Sequence, residues 1–130
     1  MATTPSDLIQ LANESLKANS EVSYRNAASR AYYALFHEVT SRLTNLPDRK
    51  ESGTHESLIT YLKTCNSGEE PYDIKELENI GYKLGQSKLY RVEADYKLDD
   101  SFPQAKGQRA VDFAKKVMQQ AQSSMKRAAC

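Results

Sequence analysis

Residues 24–37 read Tyr24-Arg25-Asn26-Ala27-Ala28-Ser29-Arg30-Ala31-Tyr32-Tyr33-Ala34-Leu35-Phe36-His37. In and beyond this stretch, Ala28, Tyr32, Leu35, Val39, Leu43 and Leu46 recur at spacings of three and four. That is the period of a helix with one buried stripe. Ala27, Ala31 and Ala34 keep one flank small, which lets another helix approach closely. The spacing predicts a helix from about Val22 to Leu43 or a little beyond.

The same period continues on both sides. Upstream, Thr4-Pro5-Ser6-Asp7 places a cap residue, a proline at the first helical position and an acid at the third. Leu8, Leu11, Ala12 and Ser15 then share one side of a short leading helix. Downstream, a third helix carries Leu58, Ile59, Leu62 and Cys65 after Gly53-Thr54. A fourth runs from about Tyr72 to Tyr96 with Ile74, Leu77, Gly81, Leu84 and Val92. A fifth starts near Pro103 with Ala110, Ala114, Val117, Met118, Ala121 and Met125. Breaks fall at Asn19-Ser20, Asn45 to Asp48, Asn66 to Gly68 and Asp99 to Pro103. No segment alternates as a strand would. The expected fold is all-α: one domain over residues 1–130, an up-and-down four-helix bundle with a short additional N-terminal helix.

Composition supports that choice. With 5 Gly and 4 Pro in 130 residues, a barrel or sandwich rich in tight turns is disfavoured. Hydrophobic residues make up 39% and charged residues 27%, which suits a domain with a real core. Net charge is +1, so no bulk positive field would hold nucleic acid, and any such contact must be a local patch. No apolar run reaches the roughly 18 residues of a spanning helix, and the first ten residues lack the pattern of a signal peptide. Cys65 and Cys130 need no disulfide. The expectation is a cytoplasmic protein without membrane contact.

At about 100° per residue, Arg30 and His37 lie opposite the core stripe, two turns apart and offset by only about 20°. Tyr33 and Ala34 flank them. One reading is a solvated face that happens to carry a histidine. The other is a polar groove or a second interface, which Tyr33 favours because aromatic and Arg side chains anchor interfaces. Together the two groups suit metal-free work on a phosphate. His moves a proton near neutral pH, and the Arg fork braces two oxygens. RNA cleavage through its own 2′-OH needs little more. One His is hard pressed to be both base and acid, so a two-fold dimer would supply the second.

Here a family resemblance enters. Ser29 to His37, preceded by Tyr24 to Ala28, resembles the second-helix signature of the HEPN superfamily, closest to its small stand-alone prokaryotic branch. Arg91-Val92-Glu93-Ala94-Asp95-Tyr96 is similar to the Arg–Ala-Asp-Tyr block found about sixty residues on, and Gly53-Thr54-His55 to a Gly-x-His start of the third helix. The resemblance covers nearly the whole chain. It implies an HEPN-like helical bundle that dimerises through this face. It also implies a metal-independent endoribonuclease with an Arg-x4–6-His motif, within a toxin–antitoxin or phage-defence setting. Carried over, His37 is the proton-transfer residue and Arg30 the phosphate brace. Ala31 stands where active members usually carry a polar residue, and Val39 where antitoxin-paired members often carry a modified Tyr. The alternative is a non-catalytic HEPN module that binds a nucleotide, RNA or a partner protein such as a nucleotidyltransferase or cognate antitoxin.

Tyr33, Lys88 and Arg91 are the candidate substrate-binding residues. For Arg91, four residues from Asp95, an ion pair tying the fourth helix to a neighbour is the plainer role. His55 suits capping or loop packing. Two His and two scattered Cys give no metal-ligand spacing, so neither a metal nor another cofactor is expected. Gly81 and Gly85 mark close helix contact. The last helix is basic through Lys106, Arg109, Lys115, Lys116, Lys126 and Arg127, a solvated face or a weak RNA-facing surface.

Overall fold

The computed structural model describes residues 3–45 and 53–126. It is all-α, with five helices: α1 (Pro5–Leu16), α2 (Glu21–Thr40), α3 (Gly53–Thr64), α4 (Ile74–Tyr96) and α5 (Gln104–Ser124). Among the described residues there is no strand. No helix there is long and apolar enough to cross a membrane.

Local chemistry sets the helix starts. The Thr4 side chain accepts from the Asp7 amide while the Asp7 carboxylate accepts from the Thr4 amide, a full capping box with Pro5 in the first turn. Ser20 caps α2 and Asp73 caps α4. Between α1 and α2 the chain turns through Asn19 at φ 53°, a left-handed conformation that Asn tolerates.

α2 is the hub. It packs against α1, α4 and α5, while α3 leans on α4. The expected stripe is fully inside: Ala28, Tyr32, Leu35 and Val39 are at most 1% exposed. The small flank is inside as well, since Ala27, Ala31 and Ala34 have no exposure at all. Leu58 and Leu62 of α3, Leu77, Ile80 and Leu84 of α4, and Val111, Ala114, Val117 and Ala121 of α5 complete the main core. Each buried Leu or Val of this kind contributes about 1.5–3 kcal/mol over an exposed one.

Several details depart from the periodicity. α2 ends at Thr40 rather than near Leu43, because the chain tightens into three-residue turns, Arg42 N–H to Val39 O and Leu43 N–H to Thr40 O. Leu43 remains buried all the same. Leu46, the last member of the predicted stripe, lies outside the described residues, as do Arg127 and Cys130. Leu11 is exposed, and α1 instead buries Ala12 and Leu16 with Leu8 and Ile9 partly covered. α1 is as long as α3, 12 residues each, so it is a full packing element. Of the two glycines in α4, only Gly81 marks a close approach. A Cβ there would stand 2.9 Å from Leu62 Cβ, whereas one at Gly85 would meet nothing.

Candidate functional site

With α2 covered on three sides, one line of it stays open. Val22, Asn26, Arg30, Tyr33, His37 and Ser41 are exposed or half-buried, at spacings of four and three. Arg30 and His37 both belong to this line.

The Arg30 guanidinium lies 4.9 Å from the centroid of the Tyr33 ring. Its Nη2 reaches Ser29 Oγ at a long 3.4 Å, and its Nε is buried with no acceptor. From α4, Arg91 approaches the same ring at 5.8 Å, and also Tyr32 at 5.5 Å and Tyr96 at 5.9 Å. Arg91 is 9% exposed. Its ion pair with Asp95 is long, 3.8 Å, and its Nε also lacks an acceptor. Two guanidinium groups thus crowd one tyrosine, each with a donor that no oxygen fills. Leaving a buried N–H without an acceptor costs about 1–3 kcal/mol, so neither guanidinium is held by a full set of protein oxygens. Asp95 is shared with Ser29, whose hydroxyl donates to it at 3.2 Å.

His37 is exposed and meets the Phe36 ring edge-on at 5.3 Å. On its α1 side it lines an open cleft of about 480 Å³ with Thr4, Pro5, Leu8 and Thr40. The Phe36 ring also meets His55, from the first turn of α3. The His55 ring is 4.5 Å from Phe36, 5.3 Å from Tyr32 and 5.7 Å from Tyr33. The buried Tyr32 hydroxyl lies 2.8 Å from His55 Nδ1. Burial holds the Tyr32 hydroxyl well above the ordinary tyrosine range, so it stays protonated. For His55, burial is the largest influence, and the Arg91, Lys88 and His37 charges add to it. Together they push its pKa below the usual 6.5 against the weaker pull of Glu56. Lys88 itself is ion-paired with Glu56.

The structure therefore gathers Arg30, Tyr33 and Arg91 into one contact group. Lys88 joins through Glu56 and the field at His55, and His37 is linked to the group through Phe36. His55 belongs to this cluster. Sequence reasoning missed it because helical phase is defined within one helix and is silent on which helix end folds over which face. The only signal was its place in the Gly-x-His block. Among the described residues no group of three His, Cys, Asp or Glu could hold a metal ion. Comparisons of the chain with protein-family models, with curated proteins and with solved structures found no match.

Proposed function

We propose that this chain is an HEPN-like domain acting as a dimeric, metal-independent endoribonuclease of a toxin–antitoxin or phage-defence system in the cytoplasm. Its α2–α5 helices would be the up-and-down bundle, with α1 packed alongside. The observation that carries the reading is the open line of α2. Arg30, half-buried, and His37, exposed, share it, and the Arg30 guanidinium makes only one long hydrogen bond. Arg30 braces the scissile phosphate and His37 transfers a proton. Arg91 and Lys88 add positive charge for the neighbouring phosphate, and Tyr33 offers its ring to a base.

The test is expression of wild type and His37→Ala with growth and RNA integrity measured in EDTA. Cleavage leaving 2′,3′-cyclic phosphate ends, lost with His37, supports the enzyme. One observation favours a second reading, a non-catalytic module for a nucleotide, RNA or a nucleotidyltransferase partner. Arg30 and Arg91 both lie against the Tyr33 ring, a cationic grip that needs no proton transfer. If wild type and variant are equally inert and a partner co-purifies, that reading replaces the first.

A further inference from the structure

We infer that His55 is the second proton-transfer group of this site, the base that takes the proton from the RNA 2′-OH while His37 serves as the acid on the opposite side of the phosphate. This rests on the ribonuclease reading and adds to it the residue that a single histidine leaves wanting.

Position is the first support. His37 and His55 come from different helices, yet both rings contact Phe36, at 5.3 and 4.5 Å. His55 also meets the Tyr33 ring at 5.7 Å, and the Arg30 and Arg91 guanidinium groups lie against that same ring. A base, an acid and a cationic brace are the three groups that in-line attack by a 2′-oxygen requires. With His55 present, one protomer holds all three.

Orientation is the second. Tyr32 is buried and its hydroxyl stands 2.8 Å from His55 Nδ1. The role as base uses the tautomer in which Nδ1–H donates to that oxygen, which leaves the Nε2 lone pair free. When Nε2 then takes a proton, the Nδ1–H bond to Tyr32 strengthens, so the phenol supports the charged form as it arises.

The charged surroundings are the third. From α4, Arg91 and Lys88 face His55. From α2 come His37, Tyr32 and Tyr33, and Glu56 is its neighbour on α3. Burial, with the Arg91 and Lys88 charges, lowers its pKa and favours the neutral ring, the form a base needs.

The step balances within the strand. His55 Nε2 removes the 2′-OH proton and the 2′-oxygen bonds to phosphorus. The bond from phosphorus to the 5′-oxygen breaks, and the imidazolium of His37 gives that oxygen its proton. The products are a 2′,3′-cyclic phosphate and a 5′-OH, and solvent exchange resets both rings. DNA, lacking the 2′-OH, is not cut.

The experiment is single-turnover cleavage by the full chain in EDTA, for wild type, His37→Ala, His55→Gln and Tyr32→Phe. Each is tested on ordinary RNA and on RNA with sulfur replacing the scissile 5′-oxygen, a leaving group that needs no acid. The expected result is a loss of about 10²–10⁴-fold for either histidine variant on ordinary RNA. The sulfur substrate restores cleavage to His37→Ala but not to His55→Gln. The rise of wild-type activity with pH, below the ordinary imidazole range, disappears in His55→Gln. Circular dichroism monitors folding. Tyr32→Phe covers the case in which His55→Gln unfolds, because it removes only the oxygen that holds Nδ1, and it is expected to slow cleavage in a folded protein. If His55→Gln cleaves like wild type while His37→Ala is inert, the inference is overturned and the ribonuclease reading stands. Rescue of His55→Gln by sulfur, or full activity of a folded Tyr32→Phe, overturns it too. A wild type that cleaves neither substrate removes the ribonuclease reading itself.

Discussion

Arg25 and Arg30 stand five residues apart on α2 and do opposite things. The Arg25 guanidinium is saturated. It donates to the Glu93, Ala94, Lys97 and Asp100 carbonyls and to the Glu21 carboxylate, and it lies 5.3 Å from the Phe102 ring. It thereby closes the C-terminal end of α4, whose last carbonyls have no helical partner of their own. Arg30 has one long contact, a tyrosine face and an unfilled Nε. Arg91 resembles Arg30 in this, although it is as buried as Arg25. What separates a structural arginine from an available one here is the number of oxygens it holds, not how deep it sits.

That contrast can be broken directly. Arg25→Ala should cost about 3 kcal/mol or more, because it strips several carbonyls of a charged donor at once. Arg30→Ala should change stability by under about 1 kcal/mol yet lower RNA cleavage by about 10²–10³-fold. Urea unfolding and single-turnover kinetics on both variants decide it. Equal destabilisation by the two would erase the distinction.

A smaller effect tests whether the open face depends on how α3 sits against α4. Gly81→Ala would push a methyl into Leu62 and Lys63 and is expected to destabilise by about 1–3 kcal/mol. It should also shift His55 relative to Arg91 and lower activity. Gly85→Ala meets nothing and should raise stability by about 0.5–1 kcal/mol through helix propensity alone. Thermal melts of the pair separate packing from propensity, and a stabilising Gly81→Ala would sink the close-contact account.

The smallest effect is on pH. The His55 pKa is depressed in the folded chain, so between that value and 6.5 the unfolded chain binds the extra proton. The contribution of this group to stability is therefore complete above 6.5 and declines as pH falls through the folded-state value. Denaturant midpoints measured from about pH 7 down to about pH 5 should fall less steeply in His55→Gln than in wild type. Parallel slopes would place His55 in an ordinary aqueous setting.

Most of the helical architecture was legible from spacing. The Thr4-Pro5-Ser6-Asp7 start, the Ala28-Tyr32-Leu35-Val39 stripe and the breaks at Asn19-Ser20, Asn66 to Gly68 and Asp99 to Pro103 all reflect local rules, because capping and amphipathic period act within a few residues of chain. The end of α2 was misjudged by three residues, since Leu43 keeps its burial through a tight turn that the periodicity cannot distinguish from helix. Arg30 and His37 were placed on a shared outer face for the same local reason. Arg25 was overlooked as a structural anchor because its oxygens come from residues about seventy positions away.

By itself, then, the order of side chains determined which segments coil, which stripe of α2 goes inward and that a guanidinium and an imidazole share its outer line. Helical period is a property of near neighbours, and it needs no knowledge of the rest of the chain. Only the tertiary packing decided that Arg25 would be used up while Arg30 and Arg91 kept free donors. It alone brought His55 against Tyr32 and Phe36. Hydrogen-bond saturation and ring contact depend on atoms that meet across helices, and no pattern along one helix carries that information.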